Sequence, residues 1–225
     1  MKIERTIVFG FEPALEDMRN PMDSWPDSDS TFGDDPSEFG VTWQRSDDIL
    51  IPERPILGPK DLELACKLIK RGPTHRKFLR EIIVWVRLTI PRFVWQELDT
   101  YKVATTRNSC STMNKLGTRD LEQSDFERPV LPAYLAHIND EGTNLRIRKG
   151  EGEGIMEARV QLKNDLPEGY LQRAGYLMSY ETALSMFFDR EQHRLPQWRA
   201  DCHGSICAWI KCLPYMGVFI DAARK

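Results

Sequence analysis

The chain has 225 residues, 41% of them hydrophobic, which is enough to bury the core of one large domain. Its 31 Lys and Arg face 34 Asp and Glu, so no general basic field points to a nucleic acid polymer or an anionic membrane surface. No apolar run approaches the roughly 18 residues of a membrane helix, and MKIERTIVFGF has neither the length nor the cleavage pattern of a signal peptide, which predicts a cytoplasmic protein. Five cysteines, Cys66, Cys110, Cys202, Cys207 and Cys212, are odd in number and form no CxxC, so they read as reduced thiols. The last three recur every five residues. On a helix that spacing turns each about 140° from the one before, which argues against a shared metal, and no metal site is expected.

Lys2 to Phe11 is rich in Ile, Val and Phe and alternates weakly, as a strand does. From about residue 12 to 48 the composition shifts to Asp, Ser, Pro and Gly, with Asp23, Asp27, Asp29, Asp34 and Asp35 close together. This acidic stretch reads as a long loop or flap, either simply solvated or a lid over a site. Leu57-Gly58-Pro59-Lys60 turns into a helix over Asp61 to Arg71, ended by Gly72-Pro73. Thr74 can cap a short basic helix from His75 to Arg80, followed by a β-branched strand over Ile82 to Ile90.

The stretch Pro91 to Asn114 changes character halfway. Its first half predicts a helix with Val94, Leu98 and Tyr101 on one face. Its second half, Thr105 to Thr112, is a run of short donors and acceptors with one guanidinium. It reads either as a solvated Ser/Thr-rich loop or as equipment for a phosphate or a nucleobase edge. Gly117 to Arg128 carries no readable pattern. Leu131 to Arg148 and Glu153 to Lys163 are helical, separated by a Gly-rich break that lacks the preceding strand of a dinucleotide fingerprint. Pro167 opens a last helical region, in which Leu177, Tyr180, Leu184, Phe187 and Phe188 share a face up to Arg190. A second helix is expected from Pro196 to Lys211, with Trp198, Cys202, Ile206, Trp209 and Ile210 as its stripe.

Two patches resemble the flavin-dependent thymidylate synthases (ThyX). PRFVWQEL followed by Asn108-Ser109-Cys110-Ser111-Thr112 looks like that family's signature helix and its RHRxxSxNxxSxR motif. Thr100-Tyr101-Lys102 stands at the RHR triplet. With one inserted residue Thr106, Asn108 and Ser111 fall on the motif's Ser, Asn and Ser, while Met113 replaces the last Arg. Without it Thr105, Arg107, Cys110 and Thr112 fall there. Upstream, His75 and Glu81 fall on the two histidines of a GHxSPFEH pattern, so the second, folate-side His is replaced. The second patch, Phe187 to Trp198, is similar to FLxLRxxxHAQWEI: Arg190 and His193 fall on its Arg and His, and Gln197-Trp198 echoes its QW, with Arg199 as the alternative register. Gln172-Arg173 resembles the family's AR pair.

The resemblance implies a single α+β domain over 1–225, with a mixed sheet and a helical subdomain, assembled as a homotetramer. It implies reductive methylation of dUMP at C5 to dTMP by FAD, with NADPH and methylenetetrahydrofolate as co-substrates. Alternatives are a pyrimidine nucleotide hydroxymethylase or a non-catalytic nucleotide-binding paralogue. It assigns Arg190 and Ser111 to catalysis. Asn108, Ser109, Ser111, Thr112, Arg173 and Arg190 go to the nucleotide, and His75, Tyr101, Lys102, Thr106, Arg107, Asn108 and His193 to the flavin. Arg190 also has a plainer reading, as a cation favoured at a helix C-terminus by about 0.3–1 kcal/mol. His75 likewise reads as an exposed residue of a basic turn.

Overall fold

The computed structural model describes residues 1–33, 49–50 and 55–224. In chain order these form β1 (Lys2–Phe9), α1 (Phe11–Arg19), β2 (Thr31–Phe32), β3 (Ile49–Leu50), β4 (Pro55–Ile56), α2 (Pro59–Lys70), β5 (Ile83–Pro91) and α3 (Arg92–Leu98). They continue with β6 (Thr106–Ser109), α4 (Thr112–Lys115), α5 (Pro132–Glu151), α6 (Ile155–Asn164), β7 (Leu171–Ser179), α7 (Tyr180–Arg190), α8 (Ile206–Lys211) and α9 (Met216–Ala223). The main sheet has strand order β3-β1-β5-β7-β6, with β1 and β3 parallel, and β2 pairs β4 in a separate antiparallel ribbon. The fold is α+β, as the sequence predicts.

The chain forms two compact units. The first comprises Met1–Lys2, Leu88–Thr100 and Asn108–Ala174. Its core is Leu116, Leu121, Phe126, Ile138, Leu145, Ala158, Leu162 and Leu166. Gly117, at φ +75°, lies so close to this core that a Cβ would come within 3.0 Å of Leu145, so the turn is glycine for conformation and for space. Trp95 of α3 is buried and its indole N–H donates to the Gln172 carbonyl at 2.9 Å, giving a large apolar ring a satisfied polar edge.

The second unit comprises Ile3–Arg87, Tyr101–Arg107 and Gly175–Lys225. Phe11, Tyr180, Phe187 and Phe219 are fully buried there, with Phe11 and Tyr180 edge to face at 5.5 Å. The buried Tyr180 hydroxyl is satisfied by the Pro214 carbonyl at 3.1 Å. At the start of α2, Asp29 accepts from the N–H groups of Lys60 and Asp61 at 3.0 and 3.1 Å, so the cap comes from a residue distant in sequence. Asp61 itself is fully buried. It accepts from Arg19 Nε at 2.7 Å, Ser28 Oγ at 2.7 Å, and Ser30 Oγ and N–H at 2.5 and 3.1 Å.

Several elements depart from the sequence reading. The stretch begun at residue 12 as a loop opens with α1, whose Phe11, Ala14, Leu15 and Met18 are buried. Residues 34–48 of that stretch lie outside the described residues. Arg76, not Thr74, precedes a short 3-10 turn over Lys77–Arg80. The helix after Pro91 stops at Leu98, so Tyr101 lies beyond it. Thr106–Ser109, read as loop, is the edge strand β6. Leu171–Ser179, read as helix, is the long strand β7. Only Ile206–Lys211 of the expected 196–211 helix forms, because the N–H groups of Ile206 and Cys207 pair with the carbonyls of Gln197 and Trp198 and fold the segment back on itself.

Candidate functional site

The second unit gathers three of the expected site residues, Tyr101, Arg190 and His193, with Asp189 and Trp198. Helix α7 supplies Asp189 and Arg190 at its C-terminal end, where the helix dipole favours the guanidinium. Ser179 fixes the other end of α7, its hydroxyl accepting from the Thr182 N–H at 3.2 Å. Thr182 in turn donates to the Val103 carbonyl at 2.9 Å, and Thr105 donates to the Tyr101 carbonyl at 2.6 Å. These two bonds hold the 101–105 loop, in which Ala104 takes the left-handed conformation at φ +53°.

Arg190 is half-buried, and its Nε donates to the Tyr101 hydroxyl at 3.2 Å. Its Nη1 lies 3.0 Å from His193 Nε2, while the Leu195 N–H lies 3.2 Å from His193 Nδ1. A neutral imidazole offers one acceptor nitrogen, so the ring takes one of these two donors at a time. The guanidinium carbon sits 5.1 Å from the Trp198 ring centroid and 5.9 Å from that of Tyr101, within range of cation–π attraction to both. Trp198 is fully buried and meets His193 edge to face at 6.3 Å. A long cation is therefore held by three residues, the Trp198 ring, the ring and hydroxyl of Tyr101, and the His193 imidazole.

Tyr101 donates to Asp189 Oδ2 at 3.2 Å. Burial raises its hydroxyl pKa above the ordinary tyrosine range, with Arg190 opposing and Asp189 adding to the effect, so it is a neutral donor. Cys207 is fully buried, its thiol 4.0 Å from the Phe187 carbonyl of α7. Burial pushes its thiol up to about 12, with the charge of Glu191 adding and that of Arg190 opposing, so it is no nucleophile at neutral pH. Lys102 and Thr106 are exposed and Arg107 is half-buried. Among the described residues the Lys102 ammonium has no hydrogen-bond or ion-pair partner.

In the first unit, Asn108 and Ser109 are exposed at the end of β6. The Cys110 N–H donates to the Arg173 carbonyl at 2.8 Å and Gln172 Nε2 donates to the Cys110 carbonyl at 2.8 Å, which fixes this segment beside β7. Ser111 plays a structural part, since its hydroxyl accepts from the Asn114 N–H at 3.2 Å and caps α4, which leaves its own proton to donate. Thr112 is the first residue of α4 and half-buried. Arg173 projects from β7, exposed, and among the described residues its guanidinium is unpaired. Elsewhere in this unit, ligand-type atoms of His137, Glu141 and Asp165 lie within 4.8 Å of one another, His137 being hydrogen-bonded to Asp165 at 3.0 Å.

His75 stands apart. It is exposed and lines a cleft of about 1010 Å³ with Asp17, Lys67, Arg71, Phe78 and Glu81, a lining that includes neither Tyr101 nor Arg190. Glu81 on that cleft has its carboxyl pKa raised, first by burial and then by the charge of Asp17 and a hydrogen bond with it. The three cysteines considered for a metal are presented differently, Cys202 half-buried, Cys207 buried and Cys212 exposed. Sequence reasoning missed Asp189, although it directly precedes Arg190, and missed that Trp198 packs on Arg190 itself.

No protein-family model matches the sequence, and no curated protein sequence does. Solved structures do match in fold. A crystal structure of Thymidylate Synthase X (ThyX) from Helicobacter pylori with FAD and dUMP superposes with a TM-score of 0.65 at 14% identity, covering 100% of both chains. A second structure of the flavin-dependent thymidylate synthase ThyX from Helicobacter pylori, complexed with FAD and dUMP, gives a TM-score of 0.65 at 15% identity over 99% of each chain. The fold of this chain is therefore ThyX-like from end to end.

Proposed function

We propose that the chain is a flavin-dependent enzyme acting on a pyrimidine nucleotide, by reductive one-carbon transfer to C5 of dUMP to give dTMP. The observation that carries the reading is Arg190, a half-buried guanidinium oriented by Tyr101, Trp198 and His193 in a fold shared along its whole length with ThyX. In this reading Arg190 contacts the nucleotide and stabilises negative charge on its oxygens, a contact a guanidinium makes with two bonds while staying charged. Ser111 donates its remaining hydroxyl proton, and Asn108, Ser109, Thr112 and Arg173, unpaired among the described residues, supply further donors to phosphate or base.

The residues present fit an anionic flavin dinucleotide in donor chemistry. Lys102 offers an ammonium without a partner among the described residues, Arg107 a second cation, and exposed Thr106 and Asn108 offer neutral donors along one edge strand. Tyr101 and His193 add ring faces. When bound, FAD would supply the redox chemistry between methylenetetrahydrofolate and the pyrimidine, with NADPH as reductant. His75 joins the reading less directly, since it lines a separate cleft. A cytoplasmic homotetramer completes the proposal.

A second reading, a nucleotide-binding paralogue without turnover, is favoured by Thr100-Tyr101-Lys102 at the RHR triplet. There the Tyr101 hydroxyl is already engaged by Asp189 and Arg190, leaving Lys102 as the triplet's one cation. A close variant, hydroxymethylation of the pyrimidine, uses the same contacts. The test is a calorimetric titration of the protein with dUMP. Binding in the wild type that weakens by more than about 1.5 kcal/mol in Arg190→Ala, with an unchanged unfolding midpoint, supports a nucleotide site at Arg190. Equal affinity in the two proteins contradicts it, and turnover with FAD, NADPH and methylenetetrahydrofolate separates enzyme from paralogue.

A further inference from the structure

We propose that the less buried face of the main sheet carries an anion-binding site, built on Arg5, Trp85 and Arg87, for a phosphate group of two or more negative charges. The three residues and Gly175 belong to the second unit and come from three neighbouring strands, β1, β5 and β7. Trp85 and Arg87 are two residues apart on β5 and share a face, while Val84, Val86 and Leu88 are buried on the other. Arg5 reaches the same ring from β1. The Arg5 and Arg87 guanidinium carbons each lie 5.8 Å from the Trp85 ring centroid. From the opposite neighbour, β7, Gly175 gives the indole its seat, since a Cβ there would already touch it, 3.4 Å from Trp85 Cζ2 and 3.6 Å from Nε1.

Every polar side-chain group gathered at this ring is a donor. A cation–π contact engages the charge of a guanidinium and leaves its N–H fork free to bond, and among the described residues neither Arg5 nor Arg87 makes a hydrogen bond or an ion pair. The Trp85 indole N–H likewise has no acceptor among them. Two cations on one ring, no more than about 12 Å apart, repel each other, and an anion between them reverses the sign of that interaction. The backbone adds a cost of its own. Arg5 takes φ +45° within β1, a left-handed conformation that glycine would adopt without strain and arginine does not. Two guanidinium forks and an indole N–H match the oxygens of a phosphate with at least two charges better than a carboxylate, which carries one.

The experiment titrates the full-length protein with inorganic pyrophosphate in a calorimeter, as wild type, Arg5→Gly and Arg87→Gln. The wild type should bind, with an affinity that falls as salt is added. Each arginine substitution should weaken that binding about tenfold. Arg5→Gly should at the same time unfold no earlier than the wild type, because it relieves the left-handed residue, so its loss of binding is not a loss of folding. Competition by a nucleoside diphosphate assigns the diphosphate of a nucleotide to the site, and failure to compete assigns free diphosphate. Both results support the site. No pyrophosphate binding by the wild type overturns the proposal, and so does binding that either arginine substitution leaves unchanged.

Discussion

Arg19 and Arg190 belong to the same compact unit and are treated in opposite ways. Arg19 is paired with Asp61 at 2.6 Å, their side chains 6% and 0% exposed, and the carboxylate is also saturated by Ser28 and Ser30. That charge is spent on structure: it ties α1 and the segment around Ser30 to α2. Arg190 is half-buried at a helix end, between aromatic faces and beside a phenol and an imidazole. The first arrangement is what a protein builds to fix its chain. The second fixes the direction of a half-buried cation at a helix end, the arrangement on which the proposed nucleotide site rests.

The comparison can be broken most forcefully at Asp61. Asp61→Ala leaves a buried guanidinium without its partner and several donors without an acceptor, and should cost about 3–5 kcal/mol of stability in urea unfolding. A loss no larger than that of an exposed ion pair, about 1 kcal/mol or less, would make the network ordinary. Arg190→Ala is the counterpart: its unfolding midpoint should match the wild type while dUMP affinity falls. A variant destabilised as much as Asp61→Ala would place Arg190 with Arg19 as a structural residue.

Acid should separate the two sites next. Burial works to raise the Asp61 pKa, but hydrogen bonds from Ser30, Ser28 and Arg19, with the charge of Arg19, outweigh it and hold the carboxyl below its usual value. A carboxylate depressed in the folded state stabilises the protein fully above its unfolded pKa, about 3.9, and loses that stabilisation as the pH falls through the lower folded value. Unfolding free energy should therefore decline below about pH 4 in the wild type and decline less in Asp61→Asn. Equal slopes would contradict the assignment. The smallest effect is expected at Cys207, whose buried thiol should resist a thiol reagent in the folded protein at about pH 8 and react after unfolding. Rapid native labelling would mean that the Cys207 thiol is accessible in the folded protein.

Much of the fold was legible because its signals are local. Ile82 to Ile90 alternates in burial as its β-branched pattern predicts, and α2 (Pro59–Lys70) lies between the Gly58-Pro59 turn and Gly72 that the sequence marks as its bounds. Strand β7 was not legible, because no turn residue separates it from α7. Ser179 is both the last strand residue and the helix cap, and Leu177, Tyr180 and Leu184 continue a helical spacing across the junction. Strand β6 was hidden by its polar, mostly exposed residues, which is what an edge strand shows and what a loop shows too. At the candidate site, the motif singled out Arg190 and His193, which the structure places side by side. Tyr101 was singled out too, but its contacts with Asp189 and Arg190 were not legible, because they depend on the course of the 101–105 loop, which the Thr182 and Thr105 side chains set.

We propose that this chain, ThyX-like in fold, holds a flavin and a pyrimidine nucleotide with Thr100-Tyr101-Lys102 in the segment that resembles the family's RHR motif. The most direct measurement is the absorbance spectrum of the purified protein after incubation with FAD and removal of unbound cofactor, with and without dUMP. The account predicts a retained flavin whose spectrum changes on adding dUMP. No retained flavin under either condition would contradict it.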